Sequence, residues 1–179
     1  MNNINEERAL SRLVEIFALE RGYSPAAARQ LRTAAALHDI GKQKMSGIIN
    51  KPGVLDTREF EIVKTHTTLG ADMLIGIQGE LGDMARTICR YHHEWRNGYG
   101  YWGIRSGELP EYVEIVSICD VYTALRYERI YKPEWSREDA VKYIKKQADT
   151  QFSHELVNDF VLLIQTDSRV SAIFMDKAA

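Results

Sequence analysis

The sequence has little of what exported, membrane-bound or nucleic-acid-coating proteins need. Its two cysteines, Cys89 and Cys119, show no CxxC spacing and sit in apolar stretches, so they read as reduced, buried thiols of a cytoplasmic protein. No apolar run approaches the roughly 20 residues that cross a bilayer. The N-terminus, MNNINEERAL, is polar and acidic rather than basic and then apolar, so neither an anchor nor an export signal is expected. An excess of one charge is missing too: 23 Lys and Arg stand against 25 Asp and Glu, a formal net charge of −2. Such a balance gives no positive field for duplex nucleic acid or an anionic membrane. Prolines number only 4, and no repeat or low-complexity linker divides the chain. The 179 residues, 45% of them hydrophobic, therefore read as one domain over 1–179.

Start and stop signals predict an all-α, compact bundle of about seven helices. Leu10, Leu13, Val14, Phe17 and Ala18 follow helical spacing up to Gly22. Ser24-Pro25 caps a second helix that runs through AAARQLRTAAALHDI to near Gly41. Residues 42–56, with Gly47, Pro52 and Gly53, read as loop. Asp56 and Glu59 then offer a capping box for TREFEIVKTHTTLGADML. A fourth helix around Leu81, Met84, Ala85 and Ile88 ends at Tyr91-His92-His93-Glu94, followed by the glycine- and aromatic-rich loop WRNGYGYWGIRSGELP. Pro110 opens a fifth, Ser136 and Ser153 cap two more, and a short C-terminal helix closes the chain.

Chemistry concentrates where histidines meet carboxylates. His38 and Asp39 are adjacent, with Lys42 three and four residues on, which a helical turn brings to the same side. Taken alone, the pair reads equally as a hydrogen-bonded core pair or as metal ligands. His66 alone reads as structural. Consecutive imidazoles at His92-His93 cannot both hide in a core without separate partners, which favours ligation. Asp120 stands in the apolar run SICDVYTAL, where an unpaired carboxylate is costly. Together His38, Asp39, His66, His92, His93 and Asp120 supply four imidazoles and two carboxylates, enough for two divalent transition-metal ions. Nitrogen and oxygen donors without thiolate favour iron or manganese, with zinc, nickel or cobalt disfavoured. Two ions about 3.5 to 4 Å apart suit hydrolysis of a phosphate ester, with Asp39 central to catalysis and Lys42 pinning a substrate phosphate. His154 reads as a surface residue. The aromatics Trp95, Tyr99, Tyr101 and Trp102 read equally as base-stacking faces and as packing within a long loop.

These motifs resemble the HD superfamily of metal-dependent phosphohydrolases, and within it the HD-GYP branch associated with cyclic di-GMP hydrolysis. The residues that carry the resemblance are Leu37-His38-Asp39-Ile40-Gly41-Lys42, Asn50-Lys51-Pro52-Gly53-Val54-Leu55, Lys64-Thr65-His66, His92-His93-Glu94 and Asp120-Val121-Tyr122-Thr123-Ala124-Leu125. They lie in order between Gly22 and about Phe160. The resemblance implies a cyclic-dinucleotide phosphodiesterase, with Arg129 and Lys132 approaching substrate phosphates beside Lys42, and Tyr101 contacting substrate from the name-giving loop. A mononucleotide phosphohydrolase and a weakly active regulatory binding module are the alternatives, and a protein partner acting in trans is open. The chain departs from the pattern twice. Glu6 or Glu7 stands where many relatives carry a first-helix histidine, which leaves a third metal ion open. The pattern G-x-G-Y-P becomes Gly98-Tyr99-Gly100-Tyr101-Trp102, about one residue short before Gly103. Loss of the proline ring is expected to make this loop less rigid and more apolar, slowing or redirecting cyclic di-GMP turnover.

Overall fold

The computed structural model describes residues 4–51, 53–128 and 133–175. Arg129 and Lys132, expected at the substrate, and Pro52 of the loop reading lie outside the described residues. Helices α1 (Ile4–Glu20), α2 (Pro25–Ala35), α3 (Ser46–Ile49), α4 (Thr57–Lys64), α5 (His66–Met73), α6 (Gly79–Tyr91), α7 (Glu111–Arg126), α8 (Arg137–Lys146), α9 (His154–Thr166) and α10 (Ser168–Met175) follow in order. No strand occurs among the described residues; the backbone pairing is a lone bridge between Ala148 and Phe152.

The capping signals act as expected. Ser24 accepts from the Ala27 amide, Ser136 from Asp139 and Ser153 from Leu156, while Asp56 and Glu59 form a reciprocal capping box. The core gathers around α1 and α7. Phe17 of α1 meets Phe160 of α9 edge-on at 5.1 Å between ring centroids, and Tyr122 of α7 meets Phe160 at 5.4 Å. Phe17 is fully buried, so its truncation to Ala would cost about 3–5 kcal/mol.

Three boundaries differ from the sequence reading. Helix α2 stops at Ala35, and the chain turns through His38 and Asp39 into a 3-10 segment, Ile40–Met45. The segment read as loop thus holds this 3-10 turn and the one-turn α3. The long helix expected after Asp56 breaks at Thr65 into α4 and α5. Four successive side chains cause the break by bonding the carbonyl three residues back: Thr65 to Ile62 at 2.6 Å, His66 to Val63 at 2.6 Å, Thr67 to Lys64 at 2.9 Å and Thr68 to Thr65 at 3.0 Å. Side-chain donors that take these carbonyls compete with continuation of the α-helix.

Candidate metal centre

His38, His66 and His92 each lie just beyond a helix C-terminus, where carbonyls have acceptor capacity to spare. Each imidazole uses it with Nδ1: His38 to Ala35 O at 2.9 Å, His66 to Val63 O at 2.6 Å, and His92 to Ile88 O at 3.0 Å and Cys89 O at 3.1 Å. A carbonyl oxygen only accepts, so Nδ1 carries the hydrogen and Nε2 is turned inward. The helix ends that stop α2, α4 and α6 therefore also aim three ring nitrogens at one place.

Asp39 stands at that place. Its Oδ1 is 3.2 Å from His66 Nε2 and 3.7 Å from His92 Nε2, while Oδ2 is 3.3 Å from His38 Nε2 and pairs with Lys42 Nζ. Asp120, on α7, brings Oδ1 to 3.6 Å from the same His38 nitrogen. His66 and His92 present Nε2 atoms 3.5 Å apart. Donor atoms of Asp39, His66, His92 and His93 all lie within 4.8 Å of one another. One oxygen of Asp39 therefore faces His66 and His92, the other faces His38, and Asp120 meets the same His38 nitrogen.

The approach that makes this possible is backbone against backbone. A Cβ at Gly41 would lie 2.0 Å from His66 O and 2.7 Å from Gly70 N. Only glycine lets the 3-10 turn carrying Asp39 press onto α5 beside His66.

Burial and charge oppose one another here. Burial disfavours a charge on His38, but Asp39 and Asp120 outweigh it and hold its pKa up at about 10. Burial likewise works against both carboxylates, yet His38 and Lys42 keep Asp39, and His38 keeps Asp120, well below the usual carboxylate range. His92 and His93 are pushed down by burial, His93 further by the neighbouring His92. The cluster thus sets anionic carboxylates beside His92 and His93, which burial keeps neutral as cation binding requires, while a cation beside His38 would displace its proton. The donors also fit such an ion on geometry: His38 Nε2 and Asp39 Oδ1 are buried and complete no hydrogen bond.

Around the cluster, Tyr101 lays its ring on His93 at 4.4 Å and 35° and meets Phe60 of α4 edge-on at 5.9 Å. Burial, with Asp39 and Asp120 nearby, raises its phenol to about 12. Lys42 and Asp39 line a cleft of about 300 Å³ with Glu7, Gln43, Ser46 and Asn50. His154 is exposed at the start of α9, 3.3 Å from Asp149. The residue whose part was missed is Glu94. Only 2% exposed, its carboxylate accepts from the Trp102 amide at 2.8 Å and the Ile104 amide at 2.8 Å. The available signal was an acid at the neck of a glycine-rich loop, where a buried carboxylate must find backbone donors. The loop is therefore fastened to Glu94 by two of its amides.

Comparison with known proteins agrees with this geometry. The HD domain model matches residues 2–156. A cyclic di-GMP phosphodiesterase of Thermotoga maritima is 35% identical over 148 residues, 82% of this chain and 40% of the relative. A 3'3'-cGAMP-specific phosphodiesterase of Vibrio cholerae is 32% identical over 138 residues, 76% of this chain and 26% of the relative. The chain thus spans well under half the length of these curated relatives. The solved structure of an HDG"Y"P protein from Bdellovibrio bacteriovorus superposes with a TM-score of 0.68 at 17% identity, over 89% of this chain and 51% of that one; the two share a fold. With four imidazoles and two carboxylates gathered in an all-helical frame and a family match over most of its length, the chain belongs to the HD domain family, whose members bind divalent metal.

Proposed function

We propose that this chain, acting as one domain, is a metal-dependent phosphohydrolase that cleaves a phosphodiester of a cyclic dinucleotide such as cyclic di-GMP. The observation that carries the reading is Asp39, with one carboxylate oxygen toward His66 and His92 and the other toward His38. In this reading His66, His92 and His93 would hold one divalent ion and His38 and Asp120 a second, with Asp39 available to both. The nitrogen and oxygen donors favour iron or manganese. Bound there, the ions supply an activated water and charge neutralisation for the phosphoryl group.

The chain's own residues do the remainder. Lys42, in the lining of the cleft beside Asp39, offers an ammonium to a substrate phosphate, and Arg129 and Lys132 are assigned the same task. Tyr101 walls the site beside His93 and presents a ring face for substrate. Cyclic di-GMP and 3'3'-cGAMP appear in the names of relatives, so the cyclic dinucleotide class is proposed rather than one member. No helix among the described residues is long and apolar enough to cross a membrane. The two free, buried thiols Cys89 and Cys119 fit a cytoplasmic location. Regulation by a protein partner in trans belongs to the same reading.

The test is metal analysis of anaerobically purified protein, combined with turnover of cyclic di-GMP, 3'3'-cGAMP, a linear dinucleotide and a mononucleotide panel. Two ions per chain and hydrolysis of a cyclic dinucleotide are expected, with both lost in Asp39→Ala. Full metal occupancy in that variant would overturn the shared-ligand assignment. Exclusive mononucleotide turnover would overturn the substrate class.

A further inference from the structure

Trp102 is held at two points. Its backbone amide donates to Glu94, at the end of the His92-His93-Glu94 run. Its indole Nε1 donates to Thr67 Oγ1 at 3.1 Å, next to His66 on α5. The loop thereby bridges the α6 end that carries His92 and His93 to the helix that starts with His66. A proline at 102 could supply neither bond, because it has no N–H and no indole. Between these anchors and the His93 run lies Gly100, whose Cβ would fall 2.5 Å from Glu94 Cα and 2.6 Å from His93 O. The loop is thus pressed on the backbone of the histidine pair, and Tyr101, between Gly100 and Trp102, has its ring set on His93. Trp102 itself remains 44% exposed. Its part is to fasten the loop, not to fill a core.

We infer that Trp102 is a positioning residue: through its bonds to Thr67 and Glu94 it fixes the Tyr101 ring over His93 and so sets which phosphodiesters the site admits. This rests on the phosphohydrolase reading for its substrate half, while the strap itself is a matter of structure alone. A substrate as broad as a cyclic dinucleotide must pass the Tyr101 wall; a small diaryl phosphodiester need not. Loosening the strap therefore changes recognition of the first and spares the second.

Two variants test it. Trp102→Phe keeps the backbone amide and an aromatic ring, smaller than indole, but deletes the indole donor; Thr67→Val deletes the acceptor with little change of shape, together with the hydroxyl's bond to Lys64 O. Losing one hydrogen bond that positions the wall should raise KM for the cyclic dinucleotide about fivefold, with kcat for bis(p-nitrophenyl) phosphate and metal content unchanged. Thr67→Ser, which keeps the hydroxyl, should restore the KM. The chain has 3 tryptophans, so Trp102 is the indole N–H resonance lost in Trp102→Phe. That resonance should move in Thr67→Val, and the His93 ring protons should move in both variants. An unmoved indole resonance in Thr67→Val, unmoved His93 protons, or equal kinetic loss on both substrates would overturn the inference. If wild type hydrolyses no phosphodiester, the phosphohydrolase reading falls, and the indole and His93 resonances alone decide the strap.

Discussion

Gly41→Ala is the sharpest probe of how the centre is assembled. The added carbon would lie 2.0 Å from the His66 carbonyl oxygen, whereas ordinary contact begins near 3.4 Å. The obstructing atoms are backbone, so no side chain can swing aside, and the 3-10 turn and α5 must part by at least about 1.4 Å. Asp39 rides on one of these pieces and His66 on the other, at 3.2 Å, while metal sites tolerate only about 0.2 Å in ligand distance. Metal affinity should fall by at least about 100-fold, above the range of about 10–100-fold typical of losing an outer-shell partner. Overpacking of this kind destabilises by about 1–3 kcal/mol, a fall in Tm of roughly 2–12 °C for a chain of this size. Competition with a fluorescent chelator measures the first and circular dichroism the second. Gly47→Ala is the control, since its Cβ would meet nothing within 4 Å. Wild-type affinity and Tm in Gly41→Ala would refute the close-approach argument.

Further outcomes follow from the same geometry. Lys42→Ala should keep its metals and lose at least about tenfold in turnover, as an ammonium that meets phosphate would require; metal loss matching that of Asp39→Ala would contradict this role. Glu94→Ala orphans two partly buried amides and should cost about 2–3 kcal/mol in urea unfolding, with Glu94→Gln losing about half as much; unchanged stability would mean that water serves those amides. In chelator-treated protein, the raised pKa of His38 makes its contribution to stability complete below its ordinary value of 6.5 and lost as pH rises through about 10. Thermal melts between pH 6 and 10 should therefore decline in wild type and less in His38→Gln, and parallel curves would disprove the assignment.

Much of this was legible in the chain because local chemistry decides it. Ser24, Asp56, Ser136 and Ser153 are caps whose side chains act within three residues, so the helix starts followed directly. Adjacent His92-His93 and the lone carboxylate of Asp120 in an apolar run stood out by themselves, whereas His38, Asp39 and His66 gained weight only when taken together with them. What escaped depends on how segments fold onto one another. Nothing near Gly41 announces that it lies under the backbone of His66 and Gly70, nor near Gly100 that its loop folds back on His93 and Glu94. The break at Thr65 was hidden because threonine and histidine at 65–68 tolerate a helix; their side chains end it by bonding the preceding turn. Trp102 looked like a loss of rigidity when judged by its missing ring, and its donors became visible only with Glu94 and Thr67 beside it.

The coupling of His38, His66 and His92 to helix-end carbonyls also restricts how such a chain can change its length. Inserting one residue into α2, α4 or α6 rotates everything after it by about 100° about the helix axis. The imidazole that closes that helix would then point away from Asp39. These three helices are in effect rulers, tolerant of substitution along their outer faces but not of a single added or deleted position near their histidine ends. Length variation is left to segments that neither carry a donor nor brace one.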